Sequence, residues 1–206
     1  ACTDALNRLF EKQEADDALL PPQGIEYAFA AFPYTDAAKT LILLLKYGSI
    51  RAAANPLANA MSARFCGKAD ILVPVPTTKH RLRERGYNQA QVLASALHPL
   101  LNLPVAPALT RRNEQTSQTT LNAEERRLNL IGCMTSDASV AGKRVLLIDD
   151  VLTTGSTATE AARALRAAGA AGVSILVAAK TSQNDAPLFQ PKRSVQDYFP
   201  ADQTKP

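Results

Sequence analysis

Val145-Leu146-Leu147-Ile148-Asp149-Asp150-Val151-Leu152-Thr153-Thr154-Gly155-Ser156-Thr157 is the stretch that decides how this chain is read. An apolar strand runs into two adjacent acids, then into a turn of small hydroxyl residues and glycine that opens a helix. The first backbone N–H groups of a helix have no partner within it, and the dipole is positive there, so a phosphate fits such a turn. Thr153, Thr154, Ser156 and Thr157 add hydroxyl donors, and Gly155 lets the backbone approach closely. Asp149 and Asp150, one step earlier, are acceptors suited to a vicinal diol. The ligand described by these parts is a ribose carrying a 5′-phosphate. No G-x-x-x-x-G-K-[ST] string accompanies them, which counts against a P-loop nucleotidase.

Working outward, residues 71–75 form a short apolar run bounded by prolines, read as a buried strand ending at Pro76. A basic loop over 77–85 follows, and Asn88 opens a helix through Gln91, Leu93, Ala94 and Leu97. The next strand is expected at 105–109, and a long polar loop at 110–120. Asn122 and Glu125 have capping-box spacing for a short basic helix. Residues 144–148 form the clearest strand, 156–168 the clearest helix, and 173–179 the last strand. Upstream, 25–34 alternates as one or two short strands, Asp36 stands as the N-cap of a helix bearing Leu41, Leu44 and Leu45, and another helix covers 56–65. Strand, helix and strand in alternation argue an α/β protein with a mostly parallel sheet covered on both faces.

Composition bounds the rest. The 206 residues are 46% hydrophobic and 20% charged, an ordinary globular balance. Twenty-three basic and 19 acidic residues leave +4, too little to assert nucleic-acid binding from the total. The longest apolar run, near Leu41 to Leu45, is too short to cross a bilayer. Ala1 to Leu6 carry no signal-peptide pattern. Cys2, Cys66 and Cys133 are odd in number and far apart, which suits isolated reduced thiols in a cytoplasmic protein.

The thirteen-residue string resembles the phosphoribosyl-pyrophosphate (PRPP) motif of type I phosphoribosyltransferases. From about residue 32 to 181 the chain further resembles the competence protein F (ComF) branch of that superfamily. The matching stretches are Leu44-Leu45-Lys46-Tyr47, Val73-Pro74-Val75-Pro76, Arg81-Leu82-Arg83-Glu84-Arg85-Gly86-Tyr87-Asn88-Gln89-Ala90 and the pattern Arg111…Thr116…Gln118…Leu121…Arg126…Asn129. The cysteine-rich zinc ribbon with which that family usually begins is not found in this sequence, and no metal ligand set is assigned.

The resemblance implies a doubly wound, mostly parallel sheet of the type I phosphoribosyltransferase kind. It divides the chain into a hood-like segment (1–66), a phosphoribosyltransferase core (67–181) and a polar tail (182–206). It implies that Thr77, Thr78 and Lys79 receive the pyrophosphate of PRPP, in a loop that in the superfamily often holds a non-proline cis peptide. It makes 110–130 a mobile hood, with Arg111 or Arg112 reaching the leaving pyrophosphate and Gln115, Thr116 and Gln118 lining it. Asp149 and Asp150 complete the catalytic set. Mg²⁺ is expected to be held mainly through PRPP.

The ComF resemblance also implies handling of single-stranded DNA during natural transformation, alongside the competence machinery. Arg81, Arg83 and Arg85 share one face if the segment is extended, and are the candidates for nucleic-acid contact. A homodimer is compatible with this reading. Two functions therefore stand: phosphoribosyl transfer with pyrophosphate release, or a non-catalytic PRPP-binding module handling DNA. In the tail, Val195, Tyr198 and Phe199 have the i, i+3, i+4 spacing of groove-binding peptides, though an ordinary tail explains them better.

Overall fold

A computed structural model describes residues 20–47, 51–112 and 132–181. Its centre is a four-stranded parallel sheet in the order β1-β6-β5-β2: β1 (Ala28–Pro33), β2 (Ile71–Pro74), β5 (Arg144–Leu152) and β6 (Gly172–Lys180). Two short strands, β3 (Leu109–Arg111) and β4 (Met134–Ser136), pair antiparallel outside it. The helices are α1 (Asp36–Tyr47), α2 (Ala54–Arg64), α3 (Lys79–Arg85), α4 (Gln89–Leu101) and α5 (Ser156–Ala167). Among the described residues no helix is long and apolar enough to cross a membrane.

Strands buried on both faces need near-continuous apolar runs, and 145–148 and 173–179, interrupted only by the half-buried Ser174, supply them. Their alternate residues separate into two cores. Leu146, Ile148, Leu176 and Ala178 pack with Ile42 and Leu45 of α1, Leu57 and Met61 of α2 and Leu93 and Leu97 of α4. Val145, Leu147, Val173, Ile175 and Val177 pack with Ala158, Ala161, Ala162 and Leu165 of α5. Alanines on that face let α5 lie close to the sheet. The doubly wound expectation is met.

Three local expectations change. The basic stretch 77–85 is not an extended loop: Lys79–Arg85 is helical, with the Thr78 hydroxyl accepting from Arg81 N (3.2 Å) and Gly86 closing the helix at φ 75°. A helix places Arg81 and Arg85 on one face and turns Arg83 away from them, so the three do not share a face. The strand expected at 105–109 begins only at Leu109; Val105 makes a single parallel bridge to Leu72. Third, residues 28–33 are part of the central sheet itself, with β1 paired to β6 from Ala28↔Ile175 to Pro33↔Lys180. Among the described residues every peptide is trans, the loop before α3 included. The expected hood residues 113–131 and the tail 182–206 lie outside the described residues.

The β3–β4 ribbon is tied to α5 by one buried carboxylate. Glu160, only 4% exposed, accepts from Met134 N (3.0 Å) and from the Arg163 guanidinium (2.7 and 2.8 Å), which itself donates to Met134 O (3.0 Å). Burial opposes ionisation of Glu160, but the Arg163 and Met134 hydrogen bonds outweigh it and lower its pKa. Glu160→Ala strands a backbone N–H and removes a charged acceptor. It should lower the unfolding free energy by about 1.5–3 kcal/mol in urea titrations, whereas Arg163→Ala, acting on a half-exposed side chain, should cost less.

Candidate active site

β5 does not stop at the acid pair. Its ladder with β6 continues through Asp149↔Val177 to Leu152↔Lys180, and Val75 N donates to Ile148 O (2.9 Å) on the other side. The end of β2, and with it the 76–78 loop, is thereby laid beside Asp149. Asp150 N donates to the Asp149 carboxylate (2.8 Å), so the two acids are joined by backbone as well as by position.

Asp150 falls in the alternation of Leu146 and Ile148, the face covered by α1. There it meets Lys46: Nζ lies 2.8 Å from Asp150 Oδ2, with the two side chains 17% and 13% exposed. Burial works against the charged forms of both groups, yet their mutual attraction and hydrogen bond win, holding Asp150 below and Lys46 above their usual values. Among the described residues no cation pairs with Asp149, and the through-space pull of Lys46 only partly offsets what raises it. Burial first, then the Asp150 charge, push its carboxyl up to about 8. One acid is thus ionised and paired, the other neutral near pH 7.

The 153–157 turn follows directly. Thr154 Oγ1 lies 3.0 Å from Ser156 Oγ and 3.4 Å from Ser156 N, and α5 begins at Ser156. Gly155 is required twice over: its φ is 75°, and a Cβ there would meet Pro22 Cγ at 2.9 Å. Thr153 and Thr154 are exposed and Ser156 and Thr157 half-buried, so the hydroxyls remain accessible.

Sequence reasoning missed what closes the other side. Lys46 stands in the Leu44-Leu45-Lys46-Tyr47 stretch without a role that sequence could assign, because a basic residue in a helix's last turn carries no signal of its partner. Lys46, Tyr47, Glu84 and Arg85 line a cavity of about 350 Å³. The Arg85 guanidinium stacks 4.8 Å from the Tyr47 ring centre and donates to Tyr47 Oη (3.2 Å). The end of α1 is fixed from below, where Tyr87 Oη donates to Leu45 O and Arg51 lies 5.0 Å over the Tyr87 ring.

The remaining candidates are placed less centrally. Thr77 is half-buried beside the end of β2, the Thr78 hydroxyl caps α3, and Lys79 is exposed. Arg81 and Arg83 are exposed on α3. Arg111 lies on the ribbon, and Arg112 N donates to Cys133 O (2.8 Å), so both arginines depend on the Glu160 anchor for their place.

A family model for the phosphoribosyl transferase domain matches residues 50–202. The chain belongs to the phosphoribosyl transferase domain family. Three curated relatives place it in the competence protein F branch of that family. Competence protein ComFC of Bacillus subtilis (strain 168) is 34% identical over 69% of this chain and 59% of its own length. Competence protein F of Haemophilus influenzae is 38% identical over 48% of this chain and 45% of its own. The DNA utilization protein YhgH of Escherichia coli O157:H7 is 34% identical over 54% and 50% respectively. The chain therefore spans about half the length of the curated relatives it matches.

In this phosphoribosyl transferase domain the raised pKa of Asp149 has a measurable consequence. Its carboxyl is neutral in the fold and ionised in the unfolded chain between about pH 4 and pH 8. Its contribution to stability is present at the acid end of that window and lost as pH rises through it. The melting temperature of Asp149→Asn should therefore gain on that of the unmodified chain from pH 5 to pH 8, as followed by circular dichroism. Parallel curves would mean that Asp149 is ionised throughout.

Proposed function

We propose that this chain binds PRPP and transfers its phosphoribosyl group to a nitrogen nucleophile, releasing pyrophosphate, in a competence- or DNA-related role in the cytoplasm. One observation carries the reading: an acid pair at the carboxyl end of a central parallel strand stands one step before a hydroxyl-rich turn at a helix start. Ligands of such sheets bind outside the carboxyl ends of the strands. The 5′-phosphate would lie on the 153–157 turn, the ribose diol on Asp149 and Asp150, and the pyrophosphate towards Thr77 and Lys79.

In the reaction the bond from C1 to the pyrophosphate oxygen breaks, with the electron pair leaving on pyrophosphate. The acceptor nitrogen forms the new bond to C1 and gives up its proton to solvent. The chain's work is to orient the ribose, to stabilise oxocarbenium-like charge near the acids, and to exclude water. Among the described residues no group of three or more His, Cys, Asp or Glu converges, and Asp150 is engaged by Lys46. That donor set suits a Mg²⁺ ion carried on substrate and water oxygens, where it would offset charge on the leaving group.

The test is calorimetry with PRPP and Mg²⁺. Asp150→Asn should weaken binding by about 1.5–3 kcal/mol, the worth of a charged acceptor to a hydroxyl, and Asp149→Asn by about 0.5–1.5 kcal/mol, the worth of a neutral one. Unchanged affinity in both would remove the ribose from this edge. Pyrophosphate release by the unmodified chain with any member of a panel of bases and amines would then separate transfer from binding alone.

A second reading, a PRPP-binding module that handles single-stranded DNA, is favoured by the arginine–tyrosine stacks. Arg85 lies over the exposed ring of Tyr47 and Arg51 over the buried ring of Tyr87, so cations and aromatic rings alternate here and Tyr47 is the ring open to solvent. Positive charge interleaved with stacking rings is what single strands bind. The DNA utilization name of one relative points the same way. Replacing Arg81 and Arg83 by Gln should lower the salt slope of single-strand binding by about 0.7 for each DNA phosphate no longer neutralised, with PRPP affinity unchanged. Absence of single-strand binding by the unmodified chain at low salt would end this reading.

A further inference from the structure

An acid pair is an odd surface to offer a polyanion. Two ionised carboxylates would repel a sugar carrying a phosphate at one end and a pyrophosphate at the other. The fold answers this with a side chain from outside the motif. Lys46, in the last turn of α1, reaches Asp150 Oδ2 at 2.8 Å, and Asp150 N in turn donates to Asp149 at 2.8 Å. The three residues form one connected unit, although the lysine is remote from the acids along the chain.

Its neighbours hold Lys46 in that place. Tyr87 Oη donates to the carbonyl of Leu45, the preceding residue, and Leu45 itself is fully buried in the core. Next to it, Arg85 is stacked on Tyr47. The lysine's charged surroundings come from every element around it. Asp149 and Asp150 lie on β5 and Tyr34 just beyond β1, and Glu84 and Arg85 of α3 share its cavity. Glu84 is itself engaged by His80 at 3.3 Å.

We propose that Lys46 is a positioning residue for the acid pair: it keeps Asp150 ionised and aimed, and offsets its charge so that the edge accepts an anionic sugar phosphate. The inference rests on the PRPP reading above. With Lys46 present and Asp149 neutral, the unit carries no net charge, and Asp150 still accepts a sugar hydroxyl. Without Lys46, an anionic ligand meets uncompensated acid, and more so as pH rises and both acids ionise.

Ribose 5-phosphate serves as probe, with PRPP and Mg²⁺ in parallel, titrated calorimetrically from pH 5.5 to 9 against the unmodified chain, Lys46→Met and Lys46→Arg. Lys46→Met should weaken ribose 5-phosphate binding at pH 7.5 by about tenfold or more, as removal of a charged hydrogen-bond partner implies. The deficit should grow with pH, and Lys46→Arg should restore most of the affinity. Carbon-13 NMR of the aspartate carboxyls provides the readout that needs no ligand: in Lys46→Met the lower of the two titrations at Asp149 and Asp150 should move up.

Normal affinity and an unchanged pH profile in Lys46→Met, with the unmodified chain binding both ligands, would overturn the proposal and leave the PRPP reading intact. So would carboxyl titrations indifferent to the substitution. Failure of the unmodified chain to bind either ligand would instead overturn the PRPP reading, and with it the role given to Lys46. If Lys46→Met melts early, Lys46→Arg decides: a folded arginine variant with poor binding and shifted titrations overturns the charge argument.

Discussion

β5 is hydrogen-bonded along both of its edges, to β2 over 145–148 and to β6 from Arg144 to Leu152. Everything chemically interesting is positioned relative to that strand. Its inner residues are fully buried, so its register cannot slip by one without turning Leu146 and Ile148 towards α5 and Leu147 towards α4. A strand so constrained can carry two carboxylates past the point where its apolar residues end and still present them in fixed order. The helix that follows is bound by the same logic, since α5 packs on the face of Val145 and Leu147.

Rigidity of this kind creates an electrostatic problem that the motif does not solve alone. Adjacent carboxylates in a half-buried edge raise one another's pKa, and burial adds to the effect. The two acids resolve this asymmetrically. Asp150 stays charged because α1 brings a cation into contact with it, and Asp149 is pushed towards its neutral form because burial and the Asp150 charge outweigh the pull of the same lysine. The segment preceding the PRPP-like string is therefore an electrostatic part of the edge, not only a cover over it. Pocket chemistry and sheet geometry meet at Lys46.

Much of this was legible in the chain's own order. Continuous apolar runs gave the parallel strands, the Asn88 cap gave α4, and the hydroxyl–glycine string gave the turn before α5. The helix at Lys79–Arg85 was less visible because none of its residues is buried, so it has no apolar period to read. Its Thr78 cap and Gly86 stop were present all along and are the signals to weigh when periodicity is absent. The membership of β1 in the main sheet was also hidden, since parallel partners can be far apart along the chain. Lys46 and Glu160 share a different reason: each is defined by a partner distant in sequence, Asp150 in one case and Met134 in the other. Sequence shows what a charged residue is, and only the fold shows what it faces.

The edge strand β1 pairs with β6, which among the described residues is the last strand in sequence. The turn before it is likewise held by late residues: Arg166 donates to Gly24 O at 2.9 Å and to Glu26 at 3.1 Å, and Pro22 packs on Gly155. On a ribosome, these early residues would wait for most of the domain to be made before meeting their partners. Such long-range pairing costs loop-closure entropy and slows folding. Among the described residues no strand pairs with the outer edge of β1, and Tyr27 beside it is largely open to solvent, so this edge needs protection while the chain is still being synthesised.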